Sequence, residues 1–216
     1  MTQIKAIETV YNGYRFRSRL EARWAVFFDT LGIEYRYEPE GFDLDGIWYL
    51  PDFFLLKQEC WFEVKPDIPT CEEREKAIRL CIASQQPVIL FAGDVWKDAT
   101  GFGFAPFYDT TREEFSQTFA DDACKTHWLS TSECITIIDG TGSLWGYDLS
   151  RGYMWSDAFW LECANCGSTG ILAPNCLPCE DDENLFFKGR HKGRLSEAYI
   201  SARQARFERN GRGVEV

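Results

Sequence analysis

Two charged residues lie in an otherwise apolar, strand-like segment of the chain. Cys60 to Lys65 reads Cys-Trp-Phe-Glu-Val-Lys, and residues two apart on a strand point to the same side. Glu63 and Lys65 therefore share one face, whereas Phe62 and Val64 share the other. Because unpaired charges are costly in a central strand, the segment favours folds that hold this carboxylate and ammonium together.

The position of Asp52 depends on how this strand pairs with the preceding extended run, Ile47 to Leu56. If the hairpin turns at Lys57-Gln58, Asp52 lies opposite Glu63 on the same face, and two carboxylates converge. Lys57-Gln58 lacks the Asn-Gly or Asp-Gly signature of a two-residue turn, and a slip of one residue would break the convergence. Pro51 has no backbone N–H to donate to a neighbouring strand, which predicts an edge strand or a bulge beside the site.

Converging carboxylates repel each other unless a cation lies between them. Mg²⁺ meets this need because it prefers oxygen ligands, and it makes a coordinated water easier to deprotonate. Lys65 would then hold or activate that water, or neutralise charge in the transition state. Glu21 is a candidate to complete the acidic site. The alternatives are that Glu21 only caps the first helix with Ser18, and that Glu63 and Lys65 form a surface pair.

The surrounding elements follow the order helix, three strands, helix, strand. Apolar residues recur at helical spacing from Arg15 to Leu31, and Ile33 to Tyr37 alternates as a strand. Thr70-Cys-Glu-Glu73 is a capping-box pattern before a second helix, and Val88 to Phe91 is a short apolar strand. This order predicts an α/β (α+β) fold in which helices flank a mixed β-sheet.

Pro51-Asp52, ten residues and then Glu63-Val64-Lys65 resembles the signature of the PD-(D/E)XK nuclease superfamily. The element order agrees, and Tyr14 to Pro66 resembles a group of phage and bacterial proteins assigned to that superfamily. The resemblance covers residues 11–92. It implies a restriction-endonuclease-like core in which Asp52, Glu63 and the Val64 carbonyl hold Mg²⁺ or Mn²⁺, Lys65 assists the water and Glu21 joins the site.

Four of the nine cysteines stand in two closely spaced pairs, Cys163-Ala-Asn-Cys166 and, nine residues later, Cys176-Leu-Pro-Cys179. Four thiolates at this spacing complete a tetrahedral Zn²⁺ site with no open position, so the zinc is expected to be structural. A redox pair or a disulfide framework is the alternative. The other cysteines are more simply core or incidental thiols.

Charge divides the chain into an acidic body and a basic arm. The net charge of −11 argues against a nucleic-acid partner, but residues 1–185 carry −16 and residues 186–213 carry +6. A helix from about Ser196 to Arg209 would present part of this basic charge. The alternative is a solvated helix face that pairs with the acidic body. The candidate nucleic-acid-binding residues are Arg15, Arg17, Arg19, Lys188, Arg190, Lys192, Arg203 and Arg206.

We expect three parts: a nuclease core over 1–133, a β-hairpin with the zinc module over 134–185, and a basic helix and arm over 186–216. The longest wholly apolar run has five residues, so no membrane span is expected. The first ten residues lack the basic start and apolar stretch of a secretory signal. We therefore expect a cytoplasmic protein, and the resemblance implies a bacterial or phage-encoded one.

These features together predict a metal-dependent deoxyribonuclease, an endonuclease that hydrolyses phosphodiester bonds of DNA. Two alternatives stay open. One is a catalytically silent protein that keeps the nuclease fold and binds DNA. The other is a phage-type interaction protein that inhibits a host nucleic-acid enzyme, which the acidic body favours. A homodimer would explain double-strand cutting, although no interface motif is visible.

Overall fold

The chain forms a mixed α+β fold in a computed structural model that describes residues 6–96, 101–106, 127–130, 134–138, 144–148, 153–162, 169–172 and 193–207. Helices α1, α2 and α3 span Arg19–Leu31, Cys71–Ser84 and Gly193–Gln204. The strands are β1 Thr9–Tyr11, β2 Tyr14–Phe16, β3 Tyr35–Tyr37, β4 Phe42–Asp43, β5 Trp48–Tyr49, β6 Phe53–Leu55, β7 Cys60–Lys65, β8 Val88–Ala92, β9 Gly101–Pro106, β10 His127–Ser130, β11 Cys134–Ile138, β12 Leu144–Asp148, β13 Tyr153–Glu162 and β14 Thr169–Leu172.

Ten of these strands form one sheet. Nine follow the order β10-β11-β12-β13-β9-β8-β7-β6-β3, and β14 pairs with the end of β13. β7 and β8 run parallel, and the other pairs described in the sheet are antiparallel. The predicted mixed sheet with flanking helices is therefore confirmed. β7 lies between β6 and β8, which makes it a central strand, in agreement with its apolar sequence.

The first helix begins at Arg19, four residues after the start of the predicted segment Arg15 to Leu31, whereas the predicted cap at Ser18 is confirmed. Ser18 caps the helix by accepting a hydrogen bond of 3.2 Å from the backbone N–H of Glu21. The residues before Ser18 instead form the hairpin of β1 and β2, which turns at Asn12-Gly13. Both turn residues have positive φ angles, 45° and 81°, as a tight two-residue hairpin requires.

The extended run predicted over Ile47 to Leu56 is two strands. β5 pairs with β4 in a separate two-stranded sheet, whereas β6 lies between β3 and β7 in the main sheet. Pro51 lies at the break, where it has no N–H to donate to a hydrogen bond between strands. Of the two alternatives predicted at Pro51, the edge strand was wrong, because β6 lies between β3 and β7, and the bulge stays a prediction. The proline precedes β6, where no ladder hydrogen bond is lost.

The predicted register between β6 and β7 is confirmed. Phe53 pairs with Phe62, Phe54 with Trp61, and Leu55 with Cys60. The same register continued by one residue sets Asp52 opposite Glu63. The connection is longer than a two-residue turn, because it includes Leu56 to Glu59, and Glu59 takes a left-handed φ of 48°.

The predicted capping box of the second helix is also confirmed. The Thr70 hydroxyl accepts a hydrogen bond from the Glu73 N–H, and the Glu73 carboxylate accepts one from the Thr70 N–H, at 3.2 and 2.8 Å. α2 therefore starts at a fixed point after β7. This matters for the site because Glu73 is brought toward the end of β7, where Lys65 lies.

Two apolar cores cover the two faces of the sheet. On one face Phe62 packs against Trp24 of α1, with ring centroids 4.9 Å apart. On the other face Trp61 belongs to a core with Leu80 of α2. Since side chains alternate along β7, Glu63 shares the face of Trp61. Glu63 and its partner Asp52 therefore lie on the α2 side of the sheet.

The C-terminal helix runs over Gly193–Gln204, so the predicted span from Ser196 to Arg209 was displaced. Leu195, Tyr199 and Ala202 are buried, and the helix packs against α1. The predicted ranges 134–185 and 186–216 thus contribute strands to the main sheet and a helix to its core. No helix among the described residues is long and apolar enough to cross a bilayer.

Candidate active site

Asp52 and Glu63 form a buried carboxylate pair. Only 3% of each residue is exposed. The backbone N–H of Asp52 donates to Oε2 of Glu63 at 3.0 Å, and the Val64 N–H donates to Oδ2 of Asp52 at 2.9 Å. A backbone N–H beside each residue thus orients the carboxylate of the other residue. Both side chains are therefore held in position before any ligand binds.

Lys65 adds a cation to this pair. Its Nζ lies 2.6 Å from Oε1 of Glu63 and 3.9 Å from Oε1 of Glu73, at the start of α2. The lysine side chain is only 20% exposed. Alternation along β7 thus brings Glu63 and Lys65 to one face, as the sequence predicts, and it leaves the ammonium at the border between the buried pair and solvent.

Burial and like-charge repulsion disfavour the charged form of Asp52. Burial raises its pKa well above the usual range, and the negative charges of Glu63 and Glu21 raise it further. Burial lowers the pKa of Lys65, but attraction by Glu63 and Asp52 outweighs burial and leaves the lysine pKa above its ordinary value. Lys65 is therefore protonated at neutral pH, and it acts as a donor and a positive charge, not as a base.

Arg17 is the second cation of the site. Its Nη2 donates to Oδ1 of Asp52 at 2.8 Å, and its Nε pairs with Glu38. The sequence predicts that Arg17 contacts nucleic acid, but it does not predict this ion pair with Asp52. Because the side chain of Arg17 is 53% exposed, the guanidinium lies between the buried carboxylate and solvent. An incoming phosphate or cation would meet it directly.

Glu21 lies beside this pair and has its own partners. Its Oε2 accepts hydrogen bonds from the Tyr37 hydroxyl at 2.6 Å and from the Arg17 N–H at 3.0 Å, and the Ser18 hydroxyl donates to Oε1 at 2.7 Å. The capping interpretation accounts for the hydrogen bond with Ser18 but not for the one from Tyr37, and the charge of Glu21 also acts on Asp52. Its role as a ligand or supporting group stays a prediction.

Two tyrosines border the carboxylates, and the sequence analysis missed both. The Tyr37 hydroxyl donates to Glu21, and Tyr49 lies close enough to Glu63 for the charge of that carboxylate to act on its hydroxyl. Burial, followed by the charges of Glu63 and Asp52, raises the pKa of Tyr49 well above its usual value, so this hydroxyl remains a donor. No spacing links these residues to the acidic motif, since they reach it from β3 and from the small β4–β5 sheet.

The donor set fits a hard divalent cation. Asp52 and Glu63 offer carboxylate oxygens in a buried setting, where Arg17 and Lys65 offset their repulsion only in part. Among the residues that the structure describes, no three His, Cys, Asp or Glu side chains are grouped to hold a metal ion. Two carboxylates with several waters are nevertheless a common Mg²⁺ arrangement. The Val64 carbonyl stays a predicted ligand.

The predicted nucleic-acid-binding residues that the structure describes lie on different elements. Arg15 lies on β2 and pairs with Glu8, Arg19 opens α1, and Arg203 and Arg206 are exposed near the end of α3. Lys188, Arg190 and Lys192 lie outside the described residues, as do Cys163, Cys166, Cys176 and Cys179. The strands β13 and β14 flank residues 163–168 and pair at Glu162 and Thr169.

Comparison of the chain with known proteins finds no match among family models, curated proteins or solved structures.

Proposed function

We propose that the protein is a metal-dependent nuclease of the PD-(D/E)XK type, with a restriction-endonuclease-like core, that hydrolyses phosphodiester bonds of DNA. The observation that carries the proposal is the buried Asp52–Glu63 pair with Lys65 at 2.6 Å from Glu63. A strand-borne carboxylate pair of this kind is destabilising for the fold alone, so a charge-binding role accounts for it better than packing.

Asp52 and Glu63 would hold Mg²⁺ or Mn²⁺, with the Val64 carbonyl as a further ligand in line with the family resemblance. When bound, the cation would supply positive charge to the phosphoryl oxygens and make an attacking water easier to deprotonate. The backbone N–H groups of Asp52 and Val64 would keep both carboxylates oriented toward it. No side-chain rearrangement of the pair itself is then needed.

Lys65 would act as a positive charge beside the attacking water. Because its pKa is raised, it keeps its proton at neutral pH and can donate a hydrogen bond to the water or to a phosphoryl oxygen. The nucleophile's proton would therefore pass to solvent or to a carboxylate, not to the lysine. The resemblance implies products with a 5′-phosphate and a 3′-hydroxyl.

Arg17 would contact the scissile phosphate or a neighbouring one. Its guanidinium lies at the border between Asp52 and solvent, and a planar donor fork suits a phosphate group. Arg203 and Arg206 would contribute to DNA binding from α3. A zinc ion held by Cys163, Cys166, Cys176 and Cys179 would stabilise the chain around β13 and β14, with no part in the chemistry.

A second candidate function is DNA binding without turnover. One observation favours it: all four carboxylate oxygens of Asp52 and Glu63 are bonded to protein groups. A cation must therefore displace or share the bonds of Arg17 or Lys65. If the ion pairs resisted this exchange, the site would stay silent.

A cleavage assay separates the two functions. Labelled single-stranded, duplex and branched DNA would be incubated with the protein in Mg²⁺, in Mn²⁺ and without either metal, with bound zinc left in place. The nuclease proposal predicts products only with Mg²⁺ or Mn²⁺. The DNA that is cleaved fastest identifies the substrate class. DNA binding without products in either metal would support the silent protein. The absence of both DNA binding and cleavage products would contradict both candidate functions.

A further inference from the structure

Trp96 is an exposed aromatic residue at the same edge of the sheet as the acidic site. It is 41% exposed and lies four residues after the end of β8. The Gly93 N–H donates to the carbonyl of Lys65 at 2.9 Å. Since consecutive Cα atoms are about 3.8 Å apart, Trp96 lies within about 11 Å of Gly93. The tryptophan and the lysine thus share one edge.

The two residues before Trp96 are held in place by the core and by α1. Val95 is fully buried in the core that α1 covers. Asp94 accepts a hydrogen bond of 3.0 Å from Arg23 of α1 and another of 2.9 Å from the Val95 N–H. Trp96 is therefore presented from an anchored segment, which limits the entropy lost when a ligand stacks on it.

Arg203 lies over this tryptophan. Its guanidinium carbon is 4.0 Å from the centroid of the Trp96 ring, and Arg203 is exposed. The helix that carries it is fixed at its start, where Arg194 donates to the Leu31 carbonyl at 3.0 Å and the Leu195 N–H donates to Glu162 at 3.2 Å. An aromatic face and a guanidinium are thus held together, and exposed Arg206 adds a second positive charge.

We propose that Trp96 and Arg203 form a binding site for an unpaired nucleotide of a strand that passes the Asp52–Glu63 pair. The base would stack on the exposed part of the indole, and the outward N–H groups of Arg203 would bind the adjacent phosphate. This inference rests on the proposed nuclease function. It names single-stranded or locally opened DNA as the substrate class, because bases inside a duplex are not available for stacking.

The test compares Trp96→Ala with Trp48→Ala, a matched loss of another exposed tryptophan that is 71% exposed on β5. Both changes are made in the Lys65→Ala chain, without added Mg²⁺ or Mn²⁺. Affinity is measured by fluorescence anisotropy with labelled oligothymidylate, an abasic strand of equal length and a duplex. We expect Trp96→Ala to weaken oligothymidylate binding about five- to twentyfold and to leave abasic and duplex binding unchanged.

Arg203→Gln should weaken binding of both the oligothymidylate and the abasic strand, because it removes a phosphate contact. Trp96→Phe keeps an aromatic face and should retain most of the affinity, which guards against a folding defect in Trp96→Ala. Equal oligothymidylate affinity in Trp96→Ala and Trp48→Ala would overturn the proposal. So would a loss of duplex affinity in Trp96→Ala as large as its loss of oligothymidylate affinity. Cleavage by the unchanged protein is scored separately, so failure of the stacking site and failure of the nuclease function are distinguishable.

Discussion

Asp52 and Glu63 are joined by a hydrogen bond of 3.0 Å from the backbone N–H of Asp52 to Oε2 of Glu63, although each residue carries a carboxyl group and is only 3% exposed. The register of β6 and β7 enforces this approach. The repulsion between the two groups is offset in part by Arg17 on one carboxylate and Lys65 on the other. The predictions below follow from that balance of charge.

Arg17→Gln should tighten metal binding. The variant frees Oδ1 of Asp52 and removes a positive charge beside the expected cation, so we expect the affinity for Mn²⁺ to rise about three- to tenfold. Isothermal titration calorimetry with Mn²⁺ measures this directly. Arg15→Gln is the matched control, because Arg15 is exposed and pairs only with Glu8 among the contacts described. Equal affinity in the two variants would contradict a competition between Arg17 and the metal.

Asp52→Asn should stabilise the protein when Mg²⁺ and Mn²⁺ are absent. The folded-state pKa of Asp52 is raised, so the folded protein holds this proton more tightly than the unfolded chain, and stability falls as pH rises from about 4 through the raised pKa. The variant lacks this loss. We expect its free energy of unfolding to exceed that of the unchanged protein by about 1 kcal/mol or more at pH 8, with a smaller difference at pH 5.

Urea unfolding at the two pH values tests this sign, and a repeat with Mg²⁺ tests its cause. Added Mg²⁺ should stabilise the unchanged protein more than Asp52→Asn, because the variant keeps only the Glu63 carboxylate of the pair. A variant that is less stable than the unchanged protein at pH 8 would show that the Arg17 ion pair outweighs the repulsion.

Tyr37→Phe should reduce stability by about 1 to 2 kcal/mol, because Glu21 loses a charge-assisted hydrogen bond of 2.6 Å in a half-buried setting. Tyr35→Phe, on the same strand, serves as the control. If Glu21 also supports the metal site, Tyr37→Phe will lower the cleavage rate with Mg²⁺ more than its effect on stability explains. An unchanged cleavage rate in the fully folded Tyr37→Phe variant would limit Glu21 to capping α1.

Zinc content tests the cysteine prediction independently of activity. The purified chain should carry about one Zn²⁺, and Cys163→Ser or Cys176→Ser should lower this to near zero and reduce the melting temperature. Cys71→Ser is the control, since Cys71 is an exposed free thiol at the start of α2. Elemental analysis by mass spectrometry provides the number. Full zinc content in both serine variants would contradict a four-cysteine site.

The strand pairing at the centre of the site could be predicted from the sequence because it depends on local rules. Alternation along β7 assigns Glu63 and Lys65 to one face, and the position of the turn fixes the partner of each residue on β6. The cap of α2 follows from Thr70 and Glu73 in the same way. These features need no knowledge of distant contacts.

The remaining site residues could not be predicted because distant segments bring them in. Arg17 reaches Asp52 across 35 positions, from the bend between β2 and α1, a stretch that the apolar spacing assigns to the first helix. Tyr37 and Tyr49 arrive from β3 and β5. The exposed pair of Trp96 and Arg203 joins residues more than 100 positions apart, which only tertiary packing of α3 on α1 determines.

The most direct test of the central claim compares cleavage by Lys65→Ala and Lys57→Ala, prepared identically, under single-turnover conditions in Mg²⁺. Lys57 is an exposed lysine in the turn between β6 and β7, so its loss removes the same charge without touching the site. We expect Lys57→Ala to cleave like the unchanged protein and Lys65→Ala to be slower by about a thousandfold, with its fold intact. Equal cleavage rates in the two variants would contradict the assignment of the Asp52, Glu63 and Lys65 group as the active site.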